Sequence, residues 1–207
     1  MWFPILITIL VGYLLGNLNG AFNISLLISN EDVRKKGSGN AGLTNFVRNF
    51  GTGSAALVAL VDVLKTVLAC FVGKLLLKPY GYELEGMMLG AVAVSLGHDF
   101  PALLGFRGGK GILSGLAVAI VIDYRCALII LAVFVIAVAI SKYVSLGSVL
   151  AALAFSACFV IFHHTSPFVM IGGVFLGLLA VYMHRANIKR LLSGTENKFS
   201  FGKKKTG

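Results

Sequence analysis

Long apolar runs constrain this chain more than any other feature of its sequence. The chain has a mean hydropathy of +0.91 and only 13% charged residues, whereas a soluble domain carries about 25%. A helix needs roughly 20 apolar residues to cross the hydrocarbon core of a membrane. The sequence therefore predicts an all-α integral membrane protein with seven transmembrane helices, over residues 3–29, 53–77, 86–104, 111–122, 126–141, 146–163 and 167–183.

The fourth apolar run, 111–122, is the shortest of the seven. A helix of this length does not reach across about 30 Å of hydrocarbon. Two alternatives stay open: a tilted span that its neighbours extend, or a re-entrant segment that lowers the number of spans.

The length of the chain leaves no room for a soluble domain beside these spans, so we predict one membrane domain over 1–207, with 184–207 as a cytoplasmic C-terminal tail. The first run has no basic segment before it and no small-residue cleavage site, so it is expected to be a retained span. The cysteines, Cys70, Cys126 and Cys158, lie inside apolar runs and are odd in number, which favours packing roles over a disulfide framework.

Basic residues set the expected orientation. With the N-terminus outside and the spans alternating, fourteen Lys and Arg residues fall on the inner side and three on the outer side. This asymmetry predicts a cytoplasmic C-terminus. It also assigns most of the net charge of +10 to a face that contacts anionic lipid rather than nucleic acid. The inner residues are Arg34, Lys35, Lys36, Arg48, Arg107, Lys110, Lys142, Arg185, Lys189, Arg190, Lys198, Lys203, Lys204 and Lys205; the outer ones are Lys74, Lys78 and Arg125.

Three polar, glycine-containing or charged clusters interrupt the apolar runs, at 37–48, 97–111 and 184–192. Polar atoms are costly near a bilayer and usually mark function. In the predicted topology all three clusters fall on the inner side, so we expect them to form one site there.

The first cluster suits an anion. Its glycines allow positive φ, so that successive amides can converge on phosphate, and its arginine can bind phosphate with two hydrogen bonds. The alternative is a flexible polar turn between spans. The candidate binding residues are Gly37, Ser38, Gly39, Asn40, Thr44, Asn45 and Arg48.

The second cluster places a lysine and several glycines just before a predicted helix, and the amides of a helix N-terminus favour phosphate. A nucleotide P-loop is excluded, because Leu104 and Gly111 stand where that motif requires Gly and Ser or Thr. A histidine lies close to Pro101, which ends the third span; a structural role for this histidine is the alternative. The candidates are His98, Gly108, Gly109, Lys110 and Gly111.

In the third cluster His184 and Asn187 are three residues apart, so a helix would place them on one face. Arg185 and Arg190 have a simpler alternative role as the charges that end the last span.

Two further polar groups need partners. Asp62 and Lys65 lie one helical turn apart within the second run and can neutralise each other. They form either a structural strut inside the bundle or part of the site. Lys142 and Ser145, on the inner side, could add a cation and a hydroxyl to the site.

Several kinds of chemistry lack the residues they require. The chain has eight carboxylates, too scattered for a magnesium site, and no Cys/His spacing typical of zinc. The His-x4-Asp pair of many acyltransferases and the Gly-x-Ser-x-Gly elbow are both missing from the sequence. The remaining set of Arg, Lys, His, Asn and Ser beside glycine loops binds phosphate and stabilises developing negative charge. An anion transporter is the rival interpretation, although transporters place such residues near the midplane.

The motifs together resemble one family. Ser38-Gly-Asn-Ala-Gly-Leu-Thr-Asn45 with Arg48, Gly97-His98-x-Phe-Pro101 with Phe106-x-Gly-Gly-Lys-Gly111, and His184-Arg-x-Asn187 with Arg190 and Glu196 are similar, in order and spacing, to the bacterial acyl-phosphate-dependent glycerol-3-phosphate acyltransferases. Two positions depart from that pattern. Asn17-Leu-Asn19-Gly20 stands where members commonly have Ser-Ile-Pro-x-Gly, and Ala186 replaces a frequent Glu.

The resemblance implies a seven-helix enzyme of the bacterial plasma membrane, with its site at the cytoplasmic face. It implies acyl transfer from acyl-phosphate to the sn-1 hydroxyl of glycerol 3-phosphate, giving lysophosphatidic acid and phosphate. No cofactor, metal, acyl-CoA or acyl-carrier protein is implied. The expected partners are glycerol 3-phosphate, acyl-phosphate and the lipid bilayer, and association with the enzyme that makes acyl-phosphate is left open.

We assign Ser38, Arg48, Lys110 and His184 as catalytic residues that grip glycerol 3-phosphate together with Asn187, with Asn45 in support. Amides around 108–111 would hold the acyl-phosphate head. Three groups stay open as the base for the attacking hydroxyl: His98, His184 and a phosphate oxygen of a substrate.

Overall fold

The computed structural model describes residues 1–198 of the chain, and these residues form α-helices and short 3₁₀ turns without a strand. This confirms the predicted fold class. Residues 199–207, including Lys203, Lys204 and Lys205 of the predicted tail, lie outside the described residues. The helices are α1 (Trp2–Asn17), α2 (Gly20–Ser29), α3 (Leu43–Phe50), α4 (Ala55–Leu77), α5 (Glu83–Asp99), α6 (Ile112–Ile122), α7 (Tyr124–Ser141), α8 (Val144–Phe162), α9 (Pro167–Met183) and α10 (Arg185–Leu192).

Five helical stretches in the described residues are long and apolar enough to cross a membrane: Trp2–Ser29, Ala55–Tyr80, Glu83–Leu104, Tyr124–Ser141 and Val144–Phe162. A sixth is formed if α9 and α10, which meet at a bend of 54°, count as one span. Helix α6 has 11 residues, so it is roughly 16 Å long. The count of seven spans therefore depends on α6 and stays a prediction.

The first predicted span is broken, because α1 ends at Asn17 and α2 begins at Gly20. Buried asparagines stabilise the break. The side chain of Asn17 accepts a hydrogen bond from the Leu103 amide at 3.0 Å, and that of Asn19 donates to the Ala41 carbonyl at 2.9 Å. The predicted span 3–29 agrees with the apolar stretch Trp2–Ser29, but its helix is interrupted after Asn17, which hydropathy does not reveal because it does not report hydrogen-bond partners.

Helix α5 lies at the centre of the bundle and packs against α1, α4, α6 and α9. Small residues permit these close approaches. At Gly97, for example, a Cβ would overlap the Tyr13 carbonyl of α1. Helix α8 packs between α7 and α9 on the other side, and Val118, Phe155 and Phe159 are buried in the core that joins the two sides.

The connections at 30–42, 100–111 and 142–143 and the segment 184–198 meet at one end of the bundle, which we call the polar end. The opposite end carries the short turn at Lys78–Tyr80 and the α6–α7 and α8–α9 connections. The three polar clusters of the sequence thus lie together.

Candidate active site

A cavity of about 630 Å³ opens at the polar end. Segments from every polar cluster line it, together with the start of α8. The sequence-predicted site residues along its wall are Gly37, Ser38, Thr44, Asn45, Arg48, His98, Lys110, Gly111, Ser145, His184 and Asn187. The remaining predicted residues, Gly39, Asn40, Gly108, Gly109 and Lys142, lie outside the wall of this cavity.

Two cationic side chains of the cavity, Lys110 and Arg48, donate hydrogen bonds only to neutral oxygens within the described part of the chain. Lys110 Nζ donates to Asn187 Oδ1 at 2.5 Å, and Arg48 Nη2 donates to the Asn197 carbonyl at 3.4 Å. Burial lowers the pKa of Lys110 to about 8, and the positive charge of Arg190 acts in the same direction. An anion could displace both neutral oxygens without breaking an ion pair.

The third cluster is ordered by one buried carboxylate. Glu196 accepts from Arg190 Nε at 2.7 Å and from Asn187 Nδ2 at 3.1 Å. Because its amide nitrogen is held by Glu196, Asn187 presents its oxygen to Lys110. Arg190 and Glu196 belong to the third motif but are not among the sequence-predicted site residues.

The bend between α9 and α10 orients His184. Its Nδ1 lies 2.8 Å from the Ala180 carbonyl, and a carbonyl can only accept, so Nδ1 carries the proton. In the neutral ring Nε2 is then an acceptor. His184 lines the cavity and is buried, so it can orient a substrate hydroxyl there.

Asn45 organises the first cluster. Its side-chain nitrogen donates to the carbonyls of Val33, Lys36 and Asn40 at 3.0 to 3.1 Å, and its oxygen accepts from the Ser38 amide at 3.0 Å. One buried amide thereby folds the loop and leaves the Ser38 hydroxyl at the cavity wall.

The glycine amides of the second cluster differ from the prediction. Gly108 donates to the Asp99 carbonyl at 3.2 Å, and Gly109 donates to the His98 carbonyl at 3.0 Å. Both amides are paired within the fold and are not available to an anion. The glycines serve close packing instead, since a Cβ at Gly109 would overlap the His98 ring.

Three other predicted residues also have structural roles. The Gly39 amide donates to the Lys36 carbonyl at 3.1 Å, and Asn40 Nδ2 donates to the Gly108 carbonyl at 3.1 Å, which joins the first two clusters. Lys142 ends α7 with a φ of 62° and does not line the cavity.

The deeper wall of the cavity is apolar, and the sequence alone does not reveal this feature. Hydropathy shows that α6, α7 and α8 are apolar but not which residues share a cavity. These lining residues are Leu113, Leu116, Ile130, Leu131, Phe134, Val144 and Ala151. A ligand with an anionic head and an apolar tail fits this combination of surfaces.

Three potential metal ligands meet at the opposite end of the bundle. One ligand atom from each of Asp123, Cys126 and His163 lies within 4.8 Å of the other two. The Asp123 carboxylate already binds the Arg125 side chain at 2.7 and 3.0 Å, and these hydrogen bonds lower the pKa of Asp123. The sequence could not reveal this cluster, because His163 is distant from the other two along the chain.

Comparisons with known proteins agree with the motifs. The profile of the family described as glycerol-3-phosphate acyltransferase matches residues 6–194. A glycerol-3-phosphate acyltransferase of Clostridioides difficile is 41% identical over 98% of each chain, and one of Thermoanaerobacter sp. is 41% identical over 93% of this chain and 94% of the relative.

Solved structures extend the similarity to the fold. The chain is similar to PlsY, an integral membrane glycerol 3-phosphate acyltransferase, in its glycerol 3-phosphate form, with a TM-score of 0.84, 31% identity and coverage of 95% of this chain and 96% of that one. The lysophosphatidic acid form gives a TM-score of 0.82 at 32% identity, with 95% of each chain covered. With apolar helices long enough to span a bilayer and a family profile matched over most of its length, the chain is an integral membrane protein that belongs to the glycerol-3-phosphate acyltransferase family.

Proposed function

We propose that the protein transfers a fatty acyl group from acyl-phosphate to the sn-1 hydroxyl of glycerol 3-phosphate. The products are lysophosphatidic acid and phosphate, and the reaction is the first step of phospholipid synthesis. The observation that most strongly supports this function is a single cavity that combines cations suited to phosphate with an apolar wall. Relatives named glycerol-3-phosphate acyltransferase, and similar structures in glycerol 3-phosphate and lysophosphatidic acid forms, support the acyl transfer and its acceptor.

The cations bind the phosphate groups. Arg48 supplies a planar donor pair suited to phosphate, and Lys110 a point charge next to Asn187. Ser38 adds a hydroxyl. The acyl tail lies along the apolar wall formed by α6, α7 and α8, so that its carbonyl is held beside the bound glycerol 3-phosphate.

The reaction is balanced without a cofactor. The sn-1 oxygen of glycerol 3-phosphate attacks the acyl carbonyl carbon, the bond from that carbon to the phosphate oxygen breaks, and the hydroxyl proton ends on the released phosphate. His184 Nε2, as an acceptor, orients the attacking hydroxyl. Acyl-phosphate is already activated, so positioning and charge stabilisation account for most of the acceleration.

We further propose the predicted topology: seven spans in the bacterial plasma membrane, with the N-terminus outside and residues 184–207 at the cytoplasmic face. Arg34, Arg48, Lys110 and Arg190 all belong to the polar end of the bundle, which supports a cytoplasmic position for this end. In this topology α6 counts as a span. Association with the enzyme that makes acyl-phosphate stays a prediction that co-purification would test.

The function is tested with purified protein in lipid, palmitoyl-phosphate and radiolabelled glycerol 3-phosphate, with palmitoyl-CoA in parallel. We expect labelled lysophosphatidic acid from palmitoyl-phosphate only. Product from palmitoyl-CoA alone would support the acyltransferase activity but overturn the assignment of acyl-phosphate as the donor. If a folded protein gives no product from either donor, the proposed function is overturned and anion transport becomes the favoured interpretation.

A further inference from the structure

A buried ion pair lies beside the cavity, and one of its members, Asp62, lines the cavity wall. Lys65 Nζ and Asp62 Oδ1 are 2.8 Å apart, and the two residues are only 3% and 2% exposed. Such pairs are costly to bury unless further hydrogen bonds satisfy both charges. The surroundings of the pair therefore indicate why it is there.

The two charges lie at the break between α1 and α2. Lys65 Nζ donates to the Leu18 and Gly16 carbonyls at 2.7 and 3.3 Å, at the C-terminal end of α1. Asp62 Oδ1 accepts from the Gly20 amide at 3.2 Å, at the N-terminal end of α2. Each charge thus faces the helix end whose dipole and unpaired backbone groups it complements.

The remaining contact of Lys65 reaches the cavity wall. Its Nζ lies 2.8 Å from His98 Nδ1, and His98 is only 4% exposed. Asp62 Oδ1 is 3.6 Å from Nδ1, beyond hydrogen-bond distance, so Lys65 is the hydrogen-bond partner of Nδ1. An ammonium group has no acceptor, so Nδ1 accepts from it and the proton of a neutral ring is on Nε2. Nε2 lies against Gly109, which is outside the cavity wall but next to Lys110. His98 and Lys110 both line the cavity.

We infer that Lys65 is a positioning residue that holds His98 in the Nε2–H tautomer, so that His98 presents a hydrogen-bond donor to an anionic substrate oxygen. Lys65 does not line the cavity itself and acts through His98. The two cavity histidines are then complementary, because His98 donates where His184 accepts. The kinetic consequence of this inference rests on the proposed function, whereas the tautomer of His98 does not depend on it.

The tautomer is measured first, on the wild-type protein. Nitrogen-15 histidine NMR in lipid nanodiscs distinguishes the two nitrogens of each of the four histidines, and His98→Gln assigns the His98 signals by their loss. We expect a protonated Nε2 and an unprotonated Nδ1. A proton on Nδ1, or on both nitrogens, would overturn the inference whatever the enzyme does.

The kinetic test compares two double variants that both remove the charge of the pair. Asp62→Leu with Lys65→Gln retains a donor on the side chain that faces His98, whereas Asp62→Leu with Lys65→Met removes it. Leucine is used at position 62 because Asp62 Oδ1 lies 3.6 Å from His98 Nδ1, where an asparagine could supply a donor of its own. At equal melting temperatures we expect the Met variant to lose at least about tenfold more in kcat than the Gln variant, with similar KM values. Equal kcat values in the two would show that the pair is only structural.

A second matched pair leaves the ion pair intact and applies if the double variants do not fold. The amide of His98→Gln can place a donor near the original Nε2, whereas that of His98→Asn reaches only the Nδ1 position. We expect kcat to be at least about tenfold higher for the Gln variant. The opposite order, or equal rates, would overturn the role of the Nε2 donor. If the wild-type enzyme itself has no activity, the proposed function fails and the NMR result still decides the tautomer.

Discussion

The charge of Lys110 makes the activity dependent on pH in a way that the structure predicts. Burial lowers the pKa of this lysine from its usual 10.5 to about 8. Its side chain donates to the neutral Asn187 oxygen and not to a carboxylate. Raising the pH above 8 therefore removes a cation that the proposed function requires for phosphate binding.

The magnitude follows from the fraction of charged lysine. With a pKa of about 8, roughly nine tenths of the free enzyme is protonated at pH 7 and about one tenth at pH 9. The phosphate of glycerol 3-phosphate is a dianion across this range, because its second pKa is about 6. We expect kcat/KM for glycerol 3-phosphate to fall by roughly a factor of ten between these pH values. The kcat profile should shift to higher pH, because a bound anion raises the pKa of Lys110.

The assay measures initial rates from pH 6 to 10 with labelled glycerol 3-phosphate, corrected for hydrolysis of acyl-phosphate without enzyme. Lys110→Arg is the matched control, since guanidinium stays charged; its rate should be lower but should lack this alkaline limb.

Unfolding does not account for the expected loss of activity. The folded-state pKa of Lys110 is below its unfolded value, so the unfolded chain binds more protons between these values. The contribution of Lys110 to stability therefore rises with pH from about 8 to 10.5. A wild-type kcat/KM that stays constant from pH 7 to 9.5, or an Arg variant with the same alkaline limb, would refute the reasoning.

Three further outcomes are expected. Arg48→Lys removes the planar donor pair, so the KM for glycerol 3-phosphate in initial-rate assays should rise by roughly tenfold to a hundredfold; an unchanged KM would place Arg48 outside the phosphate site. Gly97→Ala adds a Cβ that overlaps the Tyr13 carbonyl, so thermal unfolding should show a loss of roughly 1–3 kcal/mol, whereas Gly115→Ala, which faces open space within α6, should show none. The Ser145 hydroxyl is buried at the cavity wall without a hydrogen-bond partner in the described residues, so Ser145→Ala should raise the KM of one substrate by about tenfold; wild-type kinetics would argue against a contact with either.

Much of the site could be predicted because the types of its residues already indicate phosphate binding. Arg48, Lys110, His184 and Asn187 are costly near a bilayer unless they have a function, and the structure brings all of them to one cavity. The glycines could not be interpreted in the same way. Gly37 lines the cavity whereas Gly109 packs against His98, and the sequence shows the same residue type in both places.

The histidines show the same limit at the level of single atoms. The sequence identified His98 and His184 as candidates but could not say which nitrogen of each ring carries the proton. That depends on Lys65 in one case and on the Ala180 carbonyl in the other. Lys65 is 33 residues from His98 along the chain, and only the packing of α4 against α5 brings them together.

The sequence by itself determined that the chain is helical, membrane-embedded and similar to one enzyme family, because hydropathy and the order of polar motifs are properties of the chain. Only the tertiary structure decided where the first span breaks, which amides are already paired, and which apolar side chains form the deep wall of the cavity. Each of these depends on contacts between segments distant along the chain. A hydrogen bond such as that from Asn19 to Ala41 exists only once the helices have packed.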